Sequence, residues 1–205
     1  MERLMNALIP TVDEQTPRGE KRYDIFSKLL KERIVFVCGE ITEEVSTLAV
    51  AQLLFLESEN PKSEIFMYIN SPGGEVDSGL AIYDAMQYVS PAVSTLAFGR
   101  AASMGALLLT AGAPGKRYSL PHCSLMVHQS MGGFRGRFSD VTIHYDHMKE
   151  RETILRDILM KHTGRTMNEV SDAIRDGDKH LKPQEALEWG LIDKIVTTRS
   201  NKSDE

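Results

Sequence analysis

The chain has 205 residues, of which 41% are hydrophobic and 26% charged. This balance fits one domain with its own core and excludes collagen-like, disordered and disulfide-scaffold proteins. The net charge is −5 with no basic block, which argues against nucleic acid as a partner. Cys38 and Cys123 form no C-x-x-C motif, which argues against a zinc site or redox dithiol and suits a reducing cytoplasm.

At the start of the chain, MERLMNALIP has no apolar run of signal-peptide length. The most apolar stretch, residues 101–113, is interrupted by Ser, Gly and Thr and is too short to span a bilayer. We therefore expect neither export nor membrane insertion.

Short apolar runs rich in β-branched and aromatic residues alternate with runs of helical periodicity along the rest of the chain. Such runs predict buried strands and amphipathic helices respectively, and their alternation predicts an α/β fold with a largely parallel sheet. The predicted strands are 34–37, 65–69, 93–98, 125–127 and 192–196, and the predicted helices are 44–57, 77–89, 138–162, 167–176 and 183–190.

The predicted helix 138–162 carries a long apolar stripe. Its members, spaced for one helix face, are Val141, Tyr145, Met148, Leu155 and Leu159. A stripe of this kind packs either on the chain's own core or on a second copy, and the pattern leaves both readings open.

Ser103 lies at a predicted strand-to-helix turn, within GRAASMGA (99–106). Ser103 has two interpretations. It is either a small residue that permits close packing, with no chemical role, or a nucleophile beside a helix N-terminus. His128 ends the strand in SLMVHQ and is a candidate base. The α/β-hydrolase elbow is a poor match, because Ala101 replaces its first glycine and no acid lies between residues 104 and 127.

Two other motifs are weaker. His144 and His147 lie three residues apart on the long helix, but no fourth metal ligand is evident, so we expect no metal site. GAPGKR (112–117) resembles a phosphate loop superficially, since Thr110 and Arg117 stand where that loop needs Gly and Ser or Thr. We expect no cofactor and no ATP bound by this chain.

Several longer motifs, in this order and spacing, resemble the proteolytic-subunit family of the Clp protease. They are INSPGG (69–74), GRAASMGALLLTAGAPGKR (99–117), LPHCSLMVHQ (120–129) and PQEALEWGLID (183–193), and the resemblance runs from about residue 7 to 197. It implies a crotonase-like α/β fold with a protruding handle helix, in one peptidase domain spanning 1–205. Within it, residues 1–6 would be a propeptide, 7–25 the axial loop and N-terminal segment, 129–163 the handle region and 198–205 a flexible tail.

The resemblance also implies roles for individual residues. Ser103 would be the nucleophile, His128 the general base and Asp178 the acid, with an oxyanion hole from the backbone N–H groups of Gly74 and Met104. A substrate peptide would lie beside the glycine-rich segment that contains Gly132, Gly133 and Phe134.

The choice of acid has an alternative. Asp178 fits the family spacing through DKHLKPQEA (178–186), but one extra residue precedes it after HTG, and Gly177 stands where the family usually has an arginine used in ring-to-ring contacts. Asp176 is therefore the runner-up. Two further departures are Ser130, where the family usually has proline, and Ser124, where an arginine is common.

By the same resemblance, the chain would be a cytoplasmic serine endopeptidase that cleaves unfolded proteins inside two stacked heptameric rings. A separate AAA+ unfoldase of the ClpX or ClpA type would supply the substrates, and Phe66, Tyr68 and Leu29 are candidate docking residues or ordinary core. Two rival readings are an acyl-CoA hydratase or isomerase of the crotonase group, which would not need Ser103, and an inactive scaffold subunit of a mixed ring.

Overall fold

The structure, a computed structural model, describes residues 9–17, 19–175 and 177–198. The predicted propeptide, nearly all of the predicted tail and Asp176 lie outside these residues. The strands are β1 (Thr11–Thr16), β2 (Gly19–Asp24), β3 (Ile34–Cys38), β4 (Ile65–Ser71), β5 (Val93–Ala102), β6 (Arg117–Ser119), β7 (Ser124–Val127), β8 (Lys179–Leu181) and β9 (Lys194–Ile195). The helices are α1 (Ile25–Lys31), α2 (Glu43–Glu59), α3 (Val76–Tyr88), α4 (Met104–Thr110), α5 (Phe138–Thr163), α6 (Met167–Arg175) and α7 (Pro183–Trp189).

The main sheet is parallel except at one edge. Its order is β3-β4-β5-β6-β9, all parallel, while β7 joins the far end of β5 in parallel and β8 pairs antiparallel with β7. One face of β4 belongs to the core, since Ile65, Met67 and Ile69 are fully buried. The predicted α/β class with a largely parallel sheet is confirmed.

Strand β5 pairs with two different strands along one of its sides. Residues 95–97 pair with β6, whereas residues 100–102 pair with β7. Gly99 lies between the two segments with φ of 72°, a conformation that side chains disfavour. The bend lets the end of β5, and the turn that follows it, lie against β7.

Helix α4 is the most deeply buried helix of the described chain. All seven of its residues, Met104–Thr110, are buried. It is hydrophobic all round, as a helix enclosed between a sheet and other helices must be. The turn at its N-terminus is therefore held in place from several sides.

Helix α5 changes its environment along its length. Near its C-terminus, Ile158 and Leu159 are buried and Leu155 packs against the core. In its first half, the stripe residue Tyr145 is 54% exposed, and Phe138 and Ile143 beside the stripe are 88% and 66% exposed. The predicted stripe thus packs on the chain's own core in its second half, while its first half is partly exposed.

The segment before α1 forms a hairpin that the apolar pattern did not predict. β1 and β2 pair antiparallel along their full length and are largely polar. Glu14 joins the hairpin to α1, because its carboxylate accepts hydrogen bonds from Lys28 (2.6 Å) and Lys31 (3.0 Å). These two bonds, Lys28 first, lower the pKa of Glu14 to about 2. Among the described helices, none is both long and apolar enough to cross a membrane.

Candidate active site

Ser103 occupies the sharp turn between β5 and α4. Its backbone has φ of 54° and ψ of −123°, an unusual conformation for a residue with a side chain. Its N–H donates to the carbonyl of Met126 in β7 (2.9 Å), and its carbonyl accepts from Leu107 in α4 (3.1 Å). The turn is therefore bound to the neighbouring strand β7 and to helix α4, which holds the hydroxyl in one place.

His128 directly follows β7 and lies beside that hydroxyl. Its Nε2 is 2.9 Å from Ser103 Oγ, and its Nδ1 is 3.1 Å from Asp178 Oδ1. A carboxylate can only accept, so Nδ1 carries the proton that it donates to Asp178. In the neutral ring Nε2 then accepts the Ser103 O–H, which is the tautomer that a general base needs.

Asp178 reaches His128 because of the antiparallel pairing of β7 and β8. In that register Val127 lies opposite Lys179, which places Asp178, just before β8, next to His128, just after β7. The Asp178 side chain is 51% exposed, while that of His128 is only 12% exposed. The other carboxylate oxygen, Oδ2, lies 3.9 Å from Nε2 of His180. Ser103, His128 and Asp178 are thus brought together from three separate segments, whereas Asp176 lies outside the described residues.

Gly74 and Met104, whose N–H groups are the predicted oxyanion donors, line the same cavity of about 360 Å³ as Ser103 and His128. Gly74 is held between two backbone bonds, Ile41 N–H to Gly73 O and Glu75 N–H to Ile41 O (both 2.9 Å). Met104 is the first residue of α4, so its N–H has no acceptor within the helix.

Part of the cavity wall is apolar and comes largely from residues that the motifs did not single out. Its members include Leu107 of α4, Val127 of β7, Met131, and Leu155 and Leu159 of α5. Leu155 and Leu159 belong to the predicted apolar stripe of the long helix. The sequence therefore indicated that these residues are buried, but it did not indicate which surface they cover.

The segment with Gly132, Gly133 and Phe134 leaves the cavity without joining a strand or helix. The Phe134 ring stacks on the ring of His144 in α5, with centroids 6.0 Å apart and planes 8° apart. One of the two histidines considered as metal ligands therefore contacts an aromatic ring instead. Within the described residues there is no group of three or more His, Cys, Asp or Glu side chains that could hold a metal ion.

The candidate docking residues lie near the β3 edge of the sheet, with Phe66 and Tyr68 in β4 and Leu29 in α1. Phe66 is 38% exposed, and the half-buried Tyr68 packs edge-on against Phe36 at 5.6 Å and Phe98 at 6.4 Å between centroids. Leu29 is partly buried in α1. This edge has both packed and exposed aromatic side chains. The two interpretations, docking residues or ordinary core, therefore remain open for these residues.

A comparison with protein families matches most of the chain. The model of the Clp protease family matches residues 17–199, which is most of the 205-residue chain. The mostly parallel α/β sheet with its long helix α5 is the fold that the resemblance implies. The chain belongs to the Clp protease family.

Proposed function

We propose that the chain is a serine endopeptidase whose nucleophile is Ser103. The observation that carries the proposal is the continuous chain of contacts from Ser103 Oγ through the His128 ring to Asp178. Each distance is within hydrogen-bond reach, and each residue type fits its role in a Ser-His-Asp triad. Membership of a protease family supports the peptidase reading over that of an acyl-CoA hydratase.

The reaction begins with the proton that Ser103 Oγ donates to His128. As Oγ attacks a peptide carbonyl, Nε2 takes this proton, and the Asp178 carboxylate stabilises the resulting imidazolium through Nδ1. The protonated ring then delivers the proton to the leaving amine. Water, activated by the same ring, hydrolyses the acyl-enzyme and restores Ser103.

The negative charge that develops on the carbonyl oxygen needs donors already in place. The backbone N–H groups of Gly74 and Met104 fill this role, because both residues line the cavity beside Ser103. In comparable sites one such donor contributes about 3 kcal/mol to the transition state. Removing a backbone donor by mutation is difficult, so the serine itself is the better target for a test.

The substrate binds as an extended chain along Gly132, Gly133 and Phe134. These residues lie outside the strands of the described sheet, which supports pairing of their backbone with a substrate backbone. The side chain that precedes the cleaved bond enters the cavity between Leu107, Val127 and α5. Backbone pairing reads little sequence, which suits a protease that degrades many unfolded proteins.

The active form is a homo-oligomer of two stacked heptameric rings in the cytoplasm, supplied by an AAA+ unfoldase of the ClpX or ClpA type. The exposed apolar residues at the start of α5, Phe138, Ile143 and Tyr145, support burial of this helix against other copies. The whole chain, 1–205, acts as one peptidase domain, with 129–163 as its handle.

The test is labelling with a fluorophosphonate, together with hydrolysis of a short fluorogenic peptide. The wild type reacts and cleaves, Ser103→Ala does neither, and the matched control Ser58→Ala, at an exposed serine on α2, behaves as the wild type. Cleavage by Ser103→Ala at the wild-type rate excludes the serine mechanism. A wild type that neither labels nor cleaves in assembled rings favours an inactive scaffold, and hydration of an enoyl-CoA favours the crotonase alternative.

A further inference from the structure

The hydroxyl of Ser130, in the cavity wall, has no role in the proposed Ser-His-Asp triad. Ser130 lines the cavity beside Ser103, and its Oγ is buried without a hydrogen-bond partner among the described residues. Buried hydroxyl groups are nearly always paired, because leaving one unpaired costs free energy. An unpaired hydroxyl at a substrate cavity therefore requires an explanation.

The backbone of Ser130 is fixed by a hydrogen bond to a neighbouring side chain. Its N–H donates to Glu152 Oε2 (2.9 Å), and Arg156 Nε donates to the other oxygen of Glu152 (2.9 Å). Burial alone would raise the pKa of Glu152, but Ser130 and Arg156 together lower it. The Ser130 side chain contributes to this lowering and therefore lies near the Glu152 carboxylate, although Oγ forms no hydrogen bond in its present position.

The remaining surroundings of Ser130 limit what its hydroxyl can pair with. The nearby inner wall is apolar, formed by residues such as Leu155 and Leu159. Because Ser130 itself lines the cavity, another staggered rotamer of its side chain would bring Oγ within reach of a ligand or water there. Two acidic side chains, Glu40 and Glu75, also line the cavity, and they disfavour an acidic ligand group.

We propose that Ser130 is a specificity residue whose hydroxyl lets the cavity accept a neutral amide side chain, asparagine or glutamine, on the substrate residue that precedes the cleaved bond. The amide and the hydroxyl each offer both a donor and an acceptor, so either orientation of the amide forms a hydrogen bond. The apolar wall still accommodates leucine and methionine, so the residue broadens the specificity of the cavity. This inference rests on the proposed function.

The test compares peptides that differ only in the residue before the cleaved bond, as two pairs of similar size and shape: leucine against asparagine, and methionine against glutamine. The measured quantity is the ratio of kcat/KM for the amide peptide to kcat/KM for its apolar partner. In Ser130→Ala this ratio falls about fivefold relative to the wild type in at least one pair, the size expected for one hydrogen bond. Ser130→Thr, which keeps the hydroxyl, retains the wild-type ratio.

Two results overturn the inference. If Ser130→Ala slows both members of each pair equally while Ser103 still reacts with a fluorophosphonate, Ser130 only supports the loop, and the serine-peptidase proposal stands without it. If Ser130→Thr loses the preference as fully as Ser130→Ala, the hydroxyl is not the recognising group. Failure of the wild type both to label and to cleave any peptide overturns the proposed function and this inference with it.

Discussion

Gly73 and Ser103 approach each other so closely that no side chain fits between them. A Cβ atom built on Gly73 would lie 2.6 Å from Cβ of Ser103 and 2.9 Å from the carbonyl oxygen of Ala102. Gly73 also has φ of 97°, where residues with side chains are strained. The absence of a side chain at Gly73 therefore lets Ser103 occupy its position.

We expect Gly73→Ala to lower the free energy of unfolding by about 2–4 kcal/mol and peptide hydrolysis by at least about a hundredfold, because Ser103 must move away from His128. Urea unfolding and peptidase rates measure the two effects. The control is Gly115→Ala, since Gly115 has φ of 79° but open space around its Cβ position. It should cost about 1 kcal/mol and leave activity unchanged. Equal effects of the two substitutions would show that backbone strain, not overlap, is responsible.

Asp178→Asn tests the choice of acid. The amide cannot stabilise the imidazolium as a carboxylate does, so we expect kcat to fall by at least about a hundredfold with little change in KM. Asp176→Asn is the matched control and should stay within about twofold of the wild type. Peptide hydrolysis by assembled rings measures both; a loss confined to Asp176→Asn would make Asp176 the acid.

His162 makes stability depend on pH. Burial, reinforced by Lys161 and Arg117, lowers its pKa from 6.5 to about 4. Between these values the unfolded chain binds a proton that the folded chain does not, so the free energy of unfolding falls as the pH drops from 6.5 toward 4. The variant His162→Gln lacks this titrating group. When the pH is lowered from 7.5 to 4.5, the free energy of unfolding should therefore fall less in His162→Gln than in the wild type, by about 1–2 kcal/mol.

Urea unfolding at the two pH values measures the difference. His122→Gln, at an exposed histidine, is the control and should follow the wild type. If the free energy of unfolding of His162→Gln depends on pH as that of the wild type does, groups other than His162 cause the loss of stability at low pH.

Arg117 joins several elements through one buried guanidinium. Its Nε and Nη2 donate to the two oxygens of Asp193 (2.9 and 2.6 Å), and Nη1 donates to the carbonyls of His162 (2.8 Å) and Gly190 (2.9 Å). We expect Arg117→Met to cost about 3–5 kcal/mol, because the Asp193 carboxylate loses its charged partner.

Thermal unfolding of Arg117→Met and Arg137→Met checks this prediction. Arg137 also pairs with an aspartate, Asp140, but its side chain is 84% exposed, so its loss should cost less than about 0.5 kcal/mol. Similar unfolding temperatures for the two variants would contradict a structural role for the Arg117 pair.

Much of the fold could be predicted because the apolar pattern is strong where elements are buried. The strands that begin at Ile34, Ile65 and Val93 and the helix that begins at Phe138 lie where the pattern indicates, although β5 runs four residues beyond its predicted end. The hairpin β1–β2 was missed because its strands are polar and exposed. β6 and β8 were missed because three-residue strands have too few positions to show a period.

The sequence by itself determined the identity of the chemical groups: a serine at a strand-to-helix turn, a histidine at a strand end, and glycines where side chains cannot fit. These follow from local conformation and from motifs, which are properties of neighbouring residues. Only the tertiary structure decided which residues meet. The 3.1 Å contact between His128 and Asp178 depends on the register of β7 and β8, and the wall formed by Leu155 and Leu159 depends on which face of α5 packs on the core. Neither is set locally, because both result from long-range packing.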